Sequence, residues 1–504
     1  MAAGNNGQGN SRFRKLCHEA KSEAAVRAIL VACMIAALIS TFSSFGFSYF
    51  WWDDFNNFYL IQPSSAWTIL WHVINPLALD SLAAAFRPAG MLIYRIQWLL
   101  FDLSPVPYRI FQWSLHTANV LLVYLLLRDL LRSRYAASFG AMLFSYQAVF
   151  FELYWNFWGI FEMLAALLMF LGLRLYIRHR DSTAGILAAS AVYFVANQAK
   201  EMAITLPAIW LLYDLTVGKL WDLAPGLWNK TRRSEATSEL WNTAKRFVVP
   251  TVILLIFAYV KTRAFTRMAA LVSVPYNSSF AWYRNYSPVV IAEGYAWYFN
   301  AIFHLHFHSS LWMAAALGSC ALMLFYRART ALFFLGYVFI SFLPSVILSN
   351  HRFAYYWYIP SFGMIGLAAL AVKRAADQMT MLLSARAAAV AGAAIFAVAC
   401  AGNFFMQHSL DRFPRAWASD MAAEYRTFME GLRSLPSPSH GETVYFKSVP
   451  KYFDEVSTKS AAQVAFRMTD INTRIVQDFP PDSKYRVRFE NRVVTRETDA
   501  ATNN

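Results

Sequence analysis

The chain has 504 residues, 58% of them hydrophobic, 17% aromatic and only 15% charged. Soluble domains average about 25% charged residues, so this composition excludes a soluble globular protein. The formal net charge of +15 does not indicate nucleic acid, because the basic residues sit in short clusters between apolar runs, as orientation signals do.

A polar start with Arg12, Arg14, Lys15, Lys21 and Arg27 precedes an apolar run from Ala28 to Phe47, long enough to span a bilayer. No small-residue cleavage motif closes it, and it reads as an uncleaved signal-anchor. Further apolar runs follow near 109–127, 136–150, 157–177, 184–197, 202–217, 247–262, 310–326, 331–349, 354–372 and 387–405. The expectation is an all-α polytopic protein with about eleven transmembrane helices. The segments 88–101 and 289–307 are apolar but interrupted, the first by Arg95 and Gln97, the second by Glu293, Asn300 and His304. Both read as interfacial or re-entrant helices.

With the N-terminus inside, the cytoplasmic segments carry 22 Lys and Arg against nine in the outside loops, which is the positive-inside bias. The chain then divides into a cytoplasmic segment 1–27, a membrane domain 28–405 and an extracytoplasmic tail 406–504. Thr443–Val449 and Tyr485–Phe489 predict short strands in the tail, which gives it mixed α/β character, and the Pro-Ser run at 436–440 reads as a linker. Cys17, Cys33, Cys320 and Cys400 form no CxxC pair, so neither a disulfide framework nor structural zinc is expected.

Four short motifs fall on the outer face. Trp51-Trp52-Asp53-Asp54-Phe55-Asn56-Asn57 follows the first span, and adjacent carboxylates at a membrane surface are costly unless solvated, paired or functional. Phe151-Glu152-Leu153-Tyr154-Trp155 places one acid among aromatics, which raises its pKa unless a cation pairs with it. Ala199-Lys200-Glu201 and His351-Arg352 supply cations. Each motif alone fits a solvated loop. Together they offer a carboxylate to deprotonate a hydroxyl and cations to neutralise a phosphate leaving group. Arg87-Pro88 anchors the first loop or touches phosphate. His116 and Asn119 lie one turn apart on a predicted span, where such pairs join helices more often than they bind substrate. His304, His306 and His308 alternate but have no acidic neighbour, so interfacial histidines are favoured over metal ligands.

The order of these motifs resembles the GT-C membrane glycosyltransferases. The elements are Asp53-Asp54, Phe86-Arg87-Pro88, His116-Thr117-Ala118-Asn119, Phe151-Glu152, Ala199-Lys200-Glu201 with Ile204-Thr205-Leu206-Pro207, and His351-Arg352 with Tyr358-Ile359-Pro360-Ser361-Phe362-Gly363. The likeness covers about residues 25–375 and is nearest to the transmembrane O-mannosyltransferases with tetratricopeptide repeats and their bacterial relatives. His351 stands where that family has an acid, the acidic loop lacks its His-Pro, and the tail has no such repeats.

The resemblance implies a GT-C-like membrane domain in a bacterial inner membrane, with its site and C-terminus extracytoplasmic. It implies transfer of a monosaccharide, mannose in the nearest relatives, from a polyprenyl-phosphate donor to a hydroxyl on a protein, glycan or lipid, with inversion. Asp53 or Asp54 would be the base and Glu152 its helper or an acceptor ligand. Lys200, Arg352 and Arg87 would hold the donor phosphate, with Glu201, His351, His116 and Asn119 as acceptor-side or supporting residues. No metal ligand is assigned, and a divalent metal stays open as a cofactor. The rival class is a transporter or lipid flippase, which would place its ionisable groups near the midplane of broken helices.

Overall fold

The computed structural model describes residues 49–77, 87–218, 220–223, 233–271, 286–303, 305–348, 351–382 and 412–497, with a few isolated positions elsewhere. The predicted spans at 28–47 and 387–405 lie outside the described residues. The described chain is mostly helical and ends in a small sheet.

Among the described residues, four helices are long and apolar enough to cross a membrane: Pro105–Leu131, Gly159–His179, Ala236–Arg263 and Arg329–Val346. With the composition, they make the chain an integral membrane protein. Helix starts follow local chemistry. Ser65, Ser133 and Ser182 each accept a backbone N–H of the turn that follows, and Pro88 and Pro105 open helices where their missing N–H is not needed.

Two predicted runs break beside an acidic residue. The run 136–150 is helical only as Arg134–Ser145; Tyr146 turns extended, and a 3-10 turn Ala148–Phe150 leads into a short helix Phe151–Trp155. The run 202–217 opens as a 3-10 turn Glu201–Thr205 before the helix Leu206–Thr216. Pro207 lies at the start of that helix, where a missing N–H is tolerated. Both breaks place acidic residues at helix ends rather than at loop tips. The segment 88–101 is one uninterrupted helix, Pro88–Phe101. At about 1.5 Å per residue it is shorter than a hydrocarbon core of about 30 Å. Gly90 lets it approach the helix Gly159–His179 closely, since a Cβ there would lie 2.1 Å from the Phe161 ring.

The tail combines the helices Arg412–Ser434 and Glu455–Phe466 with strands β1 (Thr443–Lys447), β2 (Asn472–Ile475), β3 (Tyr485–Glu490) and β4 (Val493–Glu497). The sheet order is β2-β1-β3-β4, parallel at β1 and antiparallel between β3 and β4. Asn491 and Arg492 both take positive φ at the β3–β4 turn, the conformation a two-residue hairpin needs. The expected linker at 436–440 is built into this unit, because the Tyr485 hydroxyl donates to the Pro436 carbonyl.

The tail packs on the helix Trp52–Ile61 and the residue before it. Phe453 meets Phe55 with ring centroids 5.9 Å apart, and Trp417 meets Trp51 at 4.9 Å. Asp102, at the end of the helix Pro88–Phe101, bridges Arg433 at 3.0 Å and Arg467 at 3.1 Å.

Candidate functional site

The two adjacent aspartates have different environments. Sequence reading put both in a loop, but they occupy the first turn of a helix, Trp52–Ile61. Asp54 is fully buried, and both its oxygens are engaged: Oδ2 accepts the Trp51 N–H at 2.9 Å and Oδ1 the Tyr94 hydroxyl at 2.6 Å. Burial pushes its carboxyl up to about 7 against those two hydrogen bonds. Asp53 is exposed. The surrounding protein raises its carboxyl, Arg87 opposes the rise, and Asp454 of the tail adds to it. Asp54 therefore fastens the helix start, and Asp53 is the carboxylate that can meet a substrate.

Behind Asp53 lies a buried charge network. Arg87 forms a two-pronged pair with Glu201, Nη2 to Oε1 at 2.7 Å and Nε to Oε2 at 3.1 Å. Burial works against Glu201's charge, but Arg87, Lys261 and Lys200 together hold it well below the usual carboxylate range. Lys200 does not pair with its neighbour Glu201. Its Nζ lies 2.5 Å from Oε2 of Glu162, in the first turn of the helix Gly159–His179. The ammonium also sits 4.5 Å from the Tyr356 ring centroid and 5.1 Å from that of Tyr355, close enough for cation–π attraction. Burial lowers the pKa of Lys200, and Glu162 opposes that. Sequence reading missed Glu162. The available signal was an acid inside the apolar run 157–177, where an ionisable group is functional by default.

Arg352 differs from the other cations. It is half-buried, and its Nε meets no hydrogen-bond partner among the described residues. It is near enough to the Tyr298 hydroxyl to act on it electrostatically. His351 beside it is held neutral, as burial lowers its pKa to about 4 with Lys200 and Arg87 adding to the effect.

Glu152 is half-buried and forms no ion pair with a described residue; burial alone raises its carboxyl to about 7. Its loop is held from below. Buried Arg109 donates to the Tyr154 carbonyl and, at 2.5 Å, to the Trp155 carbonyl, and Gln112 donates to Leu153 O at 2.5 Å and Asn156 O at 2.7 Å. If Glu152 works as a carboxylate, kcat/KM rises as pH passes upward through about 7, because a raised pKa delays ionisation to that point. Glu152→Gln should remove this limb of the pH profile. A profile with the limb unchanged assigns it to another group.

His116 and Asn119 join helices. His116 Nδ1 lies 2.8 Å from the Tyr358 hydroxyl and Nε2 lies 2.7 Å from the Ser145 carbonyl. Asn119 donates to Met163 O at 2.9 Å and to the Tyr358 hydroxyl at 3.1 Å. The motif around Tyr358 is thereby fixed to three neighbouring segments, and both residues are committed to that packing. Among the described residues no three His, Cys, Asp or Glu side chains are grouped to hold a metal ion. His304 lies outside the described residues, and His306 and His308 are exposed.

No protein-family model matches the sequence, and no curated protein matches it. Among solved structures, the chain is similar to ArnT from Cupriavidus metallidurans bound to undecaprenyl phosphate, at 15% identity over 89% of this chain and 86% of that one, with a TM-score of 0.45. The apo state of the same protein matches at 15% identity over 90% and 86%, TM-score 0.45. The archaeal oligosaccharyltransferase AglB from Archaeoglobus fulgidus, in complex with an inhibitory peptide and a dolichol-phosphate, matches at 13% identity over 90% of this chain and 65% of that one, TM-score 0.47.

Proposed function

We propose that the chain is a GT-C-type glycosyltransferase that moves a monosaccharide from a polyprenyl-phosphate donor to an acceptor hydroxyl on the extracytoplasmic face. The observation that carries this reading is the polarity of the site. Arg87 and Lys200 already balance Glu201 and Glu162, and Arg352 keeps an Nε with no partner among the described residues, so the cationic side can take a further anion. The other side presents the exposed Asp53, together with Glu152, which forms no ion pair with a described residue. An anionic leaving group fits the first side and a nucleophile awaiting deprotonation fits the second.

In this reading Asp53 takes the proton of the acceptor hydroxyl as its oxygen attacks the anomeric carbon. The bond from that carbon to the phosphate oxygen breaks, and the phosphate leaves carrying the electron pair. One displacement inverts the configuration. Arg352 and Lys200 stabilise the charge that develops on the leaving phosphate, while Arg87 and Glu201 fix the first loop against the Lys-Glu turn. The positive-inside bias supports an extracytoplasmic position for this site.

The test is to incubate the purified protein in nanodiscs with a panel of polyprenyl-phosphate sugars, mannose among them, with envelope extract supplying acceptors. One sugar should be transferred with inversion, releasing polyprenyl phosphate. Binding of these lipids with no release from any of them would favour a lipid transporter.

A further inference from the structure

Glu162 is fully buried, and neither of its oxygens has a hydrogen-bond partner among the described residues, although one is ion-paired. Oε2 faces Lys200, whereas Oε1 meets no partner among the described residues. A buried carboxylate oxygen without a donor is rare and costly. Arg352 has the complementary deficit, a buried Nε with no acceptor. The ring of His351, the chain neighbour of Arg352, lies 6.3 Å from that of Tyr356, and Tyr356 also faces the Lys200 ammonium that pairs with Glu162, so the two deficits lie in one neighbourhood.

A ligand that satisfies both must offer an anionic acceptor to Arg352 and a hydroxyl donor to Glu162. A phosphodiester alone has no donor, and near Glu162 it would add like-charge repulsion. A glycosyl phosphate has both, because the sugar hydroxyls stand next to the anomeric carbon that carries the phosphate. We propose that Glu162 is a specificity-determining residue whose free oxygen accepts a hydroxyl of the donor sugar while the phosphate rests against Lys200 and Arg352. This rests on the glycosyltransferase reading above. It gives the Lys200–Glu162 pair a double use: the acid balances Lys200 in the free protein and recognises the sugar in the complex.

The experiment compares equilibrium binding of polyprenyl-phosphate glucose, polyprenyl-phosphate mannose and bare polyprenyl phosphate in nanodiscs. The wild type should bind at least one glycosyl lipid about tenfold tighter than the bare lipid, the size of one well-placed hydrogen bond to a charged group. Glu162→Met should reduce that preference to below about threefold without weakening the bare lipid. If Glu162→Met fails to fold with Lys200 left unpaired, Glu162→Met/Lys200→Met removes both charges, and it too should lose the preference. An unchanged preference, or equal loss for glycosyl and bare lipids, would overturn the proposal and leave Glu162 as a holder of Lys200. A wild type without preference would overturn it as well. Arg352→Ala should weaken all three lipids alike. No effect there, even on the bare lipid, would instead remove the phosphate assignment on which the reading rests.

Discussion

Asp53→Asn should lower turnover by about 10²- to 10⁴-fold, the range for losing a positioned general base, and leave the fold intact. Its side chain is exposed and makes no hydrogen bond that the helix needs, so an isosteric amide costs little structure. Asp54→Asn should behave differently. Asp54 accepts from the Trp51 N–H and from Tyr94 in a buried site, and an amide has only one accepting atom. One of those donors would be left unpaired, at about 1–3 kcal/mol. The expected outcome is a protein with a lower melting temperature whose folded fraction turns over at more than a tenth of the normal rate. Turnover and thermal stability measured on both purified variants separate the roles. A large turnover loss in Asp54→Asn with normal melting, beside near-normal Asp53→Asn, would exchange the two assignments.

The parts of this site that depend on short-range patterns were legible in the sequence. The order of acidic and basic motifs, the mixed α/β tail and the strand at Tyr485 could all be read from it, because each depends on neighbours a few residues away. The division of labour between Asp53 and Asp54 could not. It is decided by Tyr94, forty positions further on, and by which turn of a helix each carboxylate occupies. Lys200 shows the same limit. Sequence proximity pairs it with Glu201, but the helix Gly159–His179 brings Glu162 to 2.5 Å and leaves Glu201 for Arg87. The docking of the tail was equally hidden, since the Asp102 bridges join residues more than 300 positions apart. The breaks at Tyr146 and Glu201 escaped a hydropathy reading because the runs stay apolar through them. Only backbone geometry distinguishes a continuous helix from one that stops and restarts beside a charge.

Arg352→Ala should weaken binding of polyprenyl phosphate by about 10- to 150-fold. A charge-assisted hydrogen bond contributes roughly 1.5–3 kcal/mol, and ~1.4 kcal/mol corresponds to tenfold in affinity. The structure distinguishes this arginine from Arg87, whose guanidinium is committed to both oxygens of Glu201, and from Lys200, which already faces Glu162. Arg352 is the cation of the three whose Nε has no acceptor among the described residues, so its removal takes away binding without releasing an internal carboxylate. Arg352→Lys should recover only part of the loss, because a planar fork grips two phosphate oxygens where a point charge attracts one. Raising the salt concentration should change the half-buried Arg352 contribution less than it would an exposed pair, since screening acts mainly on solvated charges. If Arg352 only anchors a helix end at the headgroups, the alanine variant will insert or fold less well, yet its folded fraction will bind the lipid normally. Affinity measured on folded, monodisperse protein decides between these outcomes, and unchanged affinity in Arg352→Ala would remove the residue from the phosphate site.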